Sequence, residues 1–190
     1  LHKAIRRQRQ MCIRDRYKEL CGAGVAWNVI RVLYENYDMD KREAEDLLDF
    51  VAMATVCDVM SLTGENRILV KEGLKRIRHT KNIGLQALMQ ACNVQPENIS
   101  AYHFGYVLGP CVNATGRLDT ARHALRLFET GQETEAEEIA RDLVALNQER
   151  KELTLQGVEM AKKLCEEGGY ENDPVLVLFL SLIHISEPTR

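Results

Sequence analysis

Eleven residues in the second half of the chain, Gly109-Pro110-Cys111-Val112-Asn113-Ala114-Thr115-Gly116-Arg117-Leu118-Asp119, set an amide, a bare backbone position and a guanidinium between two apolar helical patterns. These groups suit an anion. The planar donors of Arg117 match two phosphate oxygens at once. Asn113 offers an amide to phosphate or sugar, and Gly116 lets a backbone or a ligand approach with no Cβ in the way. Gly109-Pro110 is expected to interrupt the helix before it, so the stretch reads as an anion-binding corner. The same residue types also suit a plain connection, in which Asn113 and Gly116 shape a turn and Arg117 pairs with Asp119 or another carboxylate. Residue chemistry alone leaves both readings open.

Asp58 is the second candidate. It closes an apolar helical stretch containing Ala54, Val56, Val59 and Leu62. A carboxylate there is costly to bury unless it is paired, hydrogen-bonded or bound to a cation. It either caps the turn at 61–64 or serves as a metal ligand. Asp46 and Asp49 lie on the helix before it and do not complete a ligand set with it.

The elements that must position these residues are nearly all helical. Apolar residues recur at helical spacing from Ala23 to Tyr37, and Asp38-Met39-Asp40 starts a new element. Ala44, Leu47, Leu48, Val51 and Ala54 mark a second helix ending near Asp58. Ile68, Leu69, Leu74 and Ile77 give a third, whose basic last turn (Lys75, Arg76, Arg78, His79) complements its dipole and reads as a solvated cap. A short fourth helix is expected over 85–92. Ser100 caps a fifth running towards Leu108, and Asp119 a sixth reaching Phe128. One long pattern from Glu133 to Glu167, striped by Ile139, Leu143, Leu146 and Leu153, is closed by Gly168-Gly169 and reads as a spacer between domains. After Asn172-Asp173-Pro174, the run Val175-Leu176-Val177-Leu178-Phe179-Leu180 has the character of a strand.

Composition narrows the classes. The chain is 45% apolar and 28% charged, with no apolar run near the roughly 18 residues of a membrane span, so it is neither a disordered nor a membrane-spanning type. Residues 1–18 hold seven Lys or Arg and one acidic residue, net +6, which leaves −9 for the remainder of a chain whose formal charge is −3. An acidic body argues against broad charge-driven nucleic-acid binding, so phosphate recognition must come from a few placed groups. The six cysteines are scattered, with no C-x-x-C and no histidines at ligand spacing. Neither a zinc site nor a disulfide framework is indicated, and reduced cytoplasmic thiols are expected. His79, His103 and His123 stand in helical contexts without clustered partners, and His184 lies in the C-terminal tail.

The eleven-residue stretch resembles the G-P-x-x-N-A-x-G-R-L motif of RecJ-type exonucleases in the DHH phosphoesterase superfamily. Three further segments match in the family's order and approximate spacing: Cys21-Gly22-Ala23-Gly24-Val25-Ala26-Trp27, Ala54-Thr55-Val56-Cys57-Asp58-Val59-Met60-Ser61-Leu62, and Gly64-Glu65-Asn66-Arg67. The resemblance implies hydrolysis of single-stranded DNA from its 5′ end by paired Mn²⁺ or Mg²⁺ ions, in repair and recombination. It makes Asp58 one metal ligand and assigns Asn113, Gly116 and Arg117 to the DNA strand. The remaining ligands, including the Asp-His-His signature, belong to motifs N-terminal to Cys21 and do not appear here, nor does the Gly-Gly-His-type motif of the second domain. Cys111 stands where the usual motif has Arg, and Thr115 where it has Ala. Single-stranded DNA is the partner implied, with single-strand-binding protein and a helicase as further expectations.

By the same resemblance the fold expected is mainly α: the helical C-terminal half of an α/β DHH domain over 17–130, a long connector helix over 131–170, and the first strand of a truncated second domain over 174–182. The ends, 1–16 and 183–190, resemble translated sequencing-adapter read-through and are expected to be non-native tails. The chain is then an inactive internal fragment. Two other readings stand beside this one, a DHH-type phosphoesterase acting on short oligonucleotides or cyclic dinucleotides, and a non-catalytic helical module that binds a protein through the long helix.

Overall fold

The computed structural model describes residues 19–118 and 121–168, with the side chains of 117 and 118 excepted. The strand expected over 174–182, both tails and the cap at Asp119 lie outside the described residues. All regular structure among the described residues is helical. It comprises α1 (Gly22–Asn36), α2 (Lys41–Asp46), α3 (Leu48–Cys57), α4 (Gly64–Arg76), α5 (Ile83–Ala91), α6 (Ala101–His103), α7 (Gly109–Leu118), α8 (Ala121–Glu129) and α9 (Glu133–Gly168). Short 3₁₀ turns occupy Ile77–His79 and Pro96–Asn98, and a π-helical segment spans Phe104–Leu108.

The chain divides into two compact units. The first holds the described residues up to Thr80 together with Gln95–Gly109, and the second holds Lys81–Val94 and the described residues from Pro110 onwards.

In the first unit α3 packs against α4. Leu48, Val51 and Leu69 form a buried cluster there, with Leu20 and Trp27 packed on it. The second helix expected from the sequence is divided: Asp40 caps α2 by accepting from the Arg42 N–H at 3.0 Å, and the chain turns at Leu47 before α3 begins. α1 is fixed by its own motif residues. Cys21 caps it, its Sγ accepting from the Gly24 N–H at 3.4 Å and lying 3.3 Å from Thr55 Oγ1, while Trp27 Nε1 donates to the Ala44 carbonyl at 2.7 Å. Asp49 is buried, accepting from Thr80 Oγ1 and from the Phe50 N–H, each at 2.7 Å. It is a structural carboxylate.

In the second unit α9 packs on α5 and α8. Its buried stripe is Ala136, Ile139, Ala140, Leu143, Asn147 and Gly157, which faces buried Leu85, Leu88 and Leu127 within the same unit. A methyl on Gly84 would collide with the Leu127 carbonyl, so α5 and α8 cross at backbone contact. Asn82 serves both helices. Its Oδ1 accepts from the Leu85 N–H at 2.9 Å to cap α5, and its Nδ2 donates to the Phe128 carbonyl at 2.8 Å.

Candidate functional site

Asp58 is the C-cap of α3, and its backbone is held tightly. The Val59 N–H donates to the Val56 carbonyl at 3.0 Å and the Met60 N–H to the Thr55 carbonyl at 3.1 Å. This is the Schellman pairing that satisfies the last carbonyls of a helix. It requires a left-handed residue after the cap, a place ordinarily taken by glycine or asparagine. Here Val59 fills it, with φ 55° and its side chain 89% exposed. A β-branched residue in that region stores of order 1–2 kcal/mol of strain.

The loop that follows is anchored by Asn66, fully buried, whose Nδ2 donates to the carbonyls of Glu19 at 2.7 Å and Ser61 at 3.0 Å. Before Asp58, Cys57 Sγ donates to the Phe104 carbonyl at 3.4 Å. Burial, followed by the charge of Asp58, pushes the Cys57 thiol up to about 11, so it stays a neutral donor at ordinary pH. The Asp58 side chain itself is exposed. Asp58 thus closes α3 through its backbone, while its carboxylate stays at the surface.

No group of three or more His, Cys, Asp or Glu among the described residues can hold a metal ion. A pair of divalent ions needs several such ligands, so the donor set present here does not by itself fit a two-metal centre, and Asp46 and Asp49 do not supply the rest.

The Gly109-Pro110 pair does not interrupt the helix as its residue types suggest. Ser100 starts this helical stretch, its N–H donating to His103 Nδ1 at 3.2 Å, so His103 is a capping residue. The path continues through the π segment into α7. Proline cannot donate, and its ring crowds the preceding turn. The wider π turn absorbs both defects, the Gly109 N–H reaching back to the Phe104 carbonyl. Gly109 is required for packing within the first unit, since a methyl there would strike Cys57 Sγ and the Phe104 carbonyl.

The expected corner is therefore the helix α7. Asn113 and Gly116 are exposed, one turn apart on one face, and nothing lies within 4 Å of a Cβ built on Gly116. Arg117 follows at the i+4 register of Asn113; its side chain lies outside the described part of the structure. The opposite face is buried, with Cys111 3% exposed, Ala114 0% and Thr115 1%. Thr115 Oγ1 is satisfied by the Val112 carbonyl at 2.9 Å. The two departures from the family motif, Cys111 and Thr115, thus sit on the core side, away from the face that bears Asn113 and Gly116. Asp58 belongs to the first unit and these α7 residues to the second.

Val59, Asn66 and the surroundings of Cys111 were not marked by spacing. The signal available for each was membership of a matched segment, Val59 in 54–62, Asn66 in 64–67 and Cys111 in 109–119.

No family model matches the chain. Curated relatives do. The single-stranded-DNA-specific exonuclease RecJ of Dickeya dadantii (strain 3937) is 37% identical over 177 residues, covering 88% of this chain and 31% of that protein. The protein of the same name from Bacillus subtilis (strain 168) is 30% identical over 161 residues, 85% of this chain and 20% of that protein. Among solved structures, RecJ from Thermus thermophilus in complex with Mn²⁺ superposes with a TM-score of 0.70 at 33% identity, over 84% of this chain and 22% of that one. The Mg²⁺ complex from the same source gives the same score over 85% and 24%. The chain spans a third or less of the length of the curated relatives it matches. With the four ordered motifs retained and the helical fold shared, the chain belongs to the RecJ family.

Proposed function

We propose that the protein to which this chain contributes is a metal-dependent exonuclease that hydrolyses single-stranded DNA from the 5′ end, acting in the cytoplasm in repair and recombination. The carrying observation is the α7 face. The family's Asn113 and Gly116 stand exposed there with open space above the glycine, while every departure from the motif is turned into the core. In this reading Asn113 and Arg117 bind phosphates, and Gly116 lets the strand come close to the helix backbone.

Mn²⁺ or Mg²⁺ is the expected cofactor, supported by the relatives solved with those ions. Asp58 is proposed as one ligand, its exposure keeping the carboxylate available. The other ligands would come from outside the described residues, and the chain alone is expected to be inactive. Residues 17–130 are assigned to the DHH domain, 131–170 to the connector helix, and 174–182 to the start of a second domain. Single-strand-binding protein and a helicase are proposed partners. No described helix is long and apolar enough to cross a membrane.

The test is to express the full open reading frame around 17–180 and assay it with Mn²⁺ on 5′-labelled single- and double-stranded DNA. Digestion confined to single strands is the expected result. Digestion of oligonucleotides of a few residues only would favour the phosphoesterase reading instead, and no digestion would remove the nuclease assignment.

A further inference from the structure

Two thiols meet beneath the α7 face. Cys92 Sγ lies 3.8 Å from Cys111 Sγ, although the residues are nineteen apart in sequence. Each is held by regular backbone. Cys92 is the C-cap of α5, its N–H donating to the Leu88 carbonyl at 3.0 Å, and Asn93 after it takes the left-handed conformation at φ 55°. Cys111 sits in the first turn of α7. Its sulfur also receives Asn147 Nδ2 at 3.6 Å. The orientation of that amide is fixed, because Asn147 Oδ1 accepts from Arg150 Nε at 3.2 Å and Nη2 at 3.1 Å.

The surroundings divide the roles. The hydrogen bond from Cys92, then that from Asn147 and the charges of Lys151 and Arg150, hold the Cys111 thiol below its ordinary range despite its burial. The hydrogen bond to Cys111, then burial, raise that of Cys92. Cys92, at the C-terminus of α5, follows the same sign through the helix dipole. Cys111 is the better nucleophile but is only 3% exposed, whereas Cys92 is half-buried. That combination admits a small oxidant and disfavours a bulky disulfide reagent.

We infer that Cys92 and Cys111 are a modification site, a dithiol that a hydroperoxide converts reversibly to a disulfide. The Cys111 thiolate attacks one peroxide oxygen; the S–O bond forms as the O–O bond breaks, and hydroxide leaves and takes up a proton as water. Cys111 is now a sulfenic acid. The Cys92 sulfur attacks it, forming the S–S bond as the S–O bond breaks, and the departing hydroxide carries off the Cys92 proton as a second water. One hydrogen peroxide and two thiols give one disulfide and two waters. The sulfurs need only close from 3.8 Å to a bond of about 2.05 Å.

The position gives the bond a consequence. The chain leaves the second unit after Val94 and returns to it at Pro110. Cys92 and Cys111 flank that excursion, so the disulfide ties the exit to the return and fixes the first turn of the helix that carries Asn113. This holds whatever ligand the α7 face takes.

The experiment uses the protein from its full open reading frame, reduced, treated with graded hydrogen peroxide, quenched by alkylation and mapped by peptide mass spectrometry. The expected result is a linked peptide joining Cys92 to Cys111, lighter by two hydrogens, reversed by dithiothreitol, and formed before Cys57 or Cys165 is consumed. In Cys92→Ser, which has no resolving thiol, Cys111 should yield a sulfenic acid, trapped by dimedone as the protein is unfolded. Oxidation of Cys92 and Cys111 no faster than Cys165 with no linked peptide overturns the inference, as does a Cys111 that passes to sulfinic acid without linking. The wild-type map decides the matter even if the variant does not fold.

Discussion

Val59 and Asp58 are neighbours with opposite demands. The backbone after α3 needs a left-handed residue, and valine supplies it at a cost, with a side chain 89% exposed that contributes almost no packing in return. Val59→Gly should therefore stabilise the first unit by about 0.5–1 kcal/mol, the relief of strain being offset by the flexibility of an unfolded glycine. A denaturant midpoint that falls instead would show that the side chain is packed. Asp58→Ala makes the complementary case. Its carboxylate is exposed and its cap bonds are made by the backbone, so the unfolding midpoint should hold while metal-dependent cleavage by the intact protein is lost. Loss of both together would mark Asp58 as a structural residue. The position of Asp58 at a helix end was legible from the apolar residues that precede it. The Schellman geometry was not, because its usual signal is a glycine or asparagine and this sequence puts valine there.

At the scale of elements, periodicity located several helices well, both where one face is buried, as in α5 and α9, and in α1, where Gly24 is the buried residue. α1, α5 and the 36-residue α9 stand within a residue or two of expectation. It failed where a local rule met a tertiary remedy. Gly109-Pro110 has every mark of a helix break, yet the π segment before it widens the turn enough to pass the proline, and no periodic pattern announces a π turn. The same geometry makes Gly109 indispensable, and Gly109→Ala should cost about 1–3 kcal/mol through collision with Cys57 and the Phe104 carbonyl. Thermal unfolding measures this directly.

Between α8 and α9 a polar tie is added to the apolar contact. Arg126 Nε and Nη2 donate to Glu135 at 2.7 and 3.0 Å, and Thr130 Oγ1 donates to the same carboxylate. The Arg126 hydrogen bond, then that of Thr130, hold the Glu135 carboxyl below its ordinary value of 4.5. A depressed folded value adds stability that is complete above 4.5 and disappears as pH falls through the lower folded value. Glu135→Gln should accordingly unfold at a lower temperature at neutral pH, and its deficit should close as the pH drops below 4.5. A deficit independent of pH would assign Glu135 a packing role.

At the scale of the whole chain, charge bears on how the proposed DNA strand would be held. Outside the first eighteen residues the chain carries −9, so a diffuse electrostatic grip by this segment is unfavourable and the proposed recognition rests on a few groups. That much is legible from composition. Which face carries those groups is not, because burial on α7 is decided by tertiary contacts, such as those of Cys111 with Cys92 and Asn147, rather than by any local pattern. The proposed roles of Asn113 and Arg117 differ in a way that salt resolves. Each phosphate neutralised on a single strand contributes about −0.7 to the slope of log K against log salt. A neutral amide releases no counterion. Measured on a labelled single strand across a salt series with the full-length protein, Arg117→Ala should weaken binding most at low salt and flatten the slope by about 0.7. Asn113→Ala should weaken binding by a similar factor at every salt concentration and leave the slope unchanged. If the arginine variant keeps the full slope, the guanidinium does not neutralise a phosphate, and the strand must draw its electrostatic contact from elsewhere in the protein.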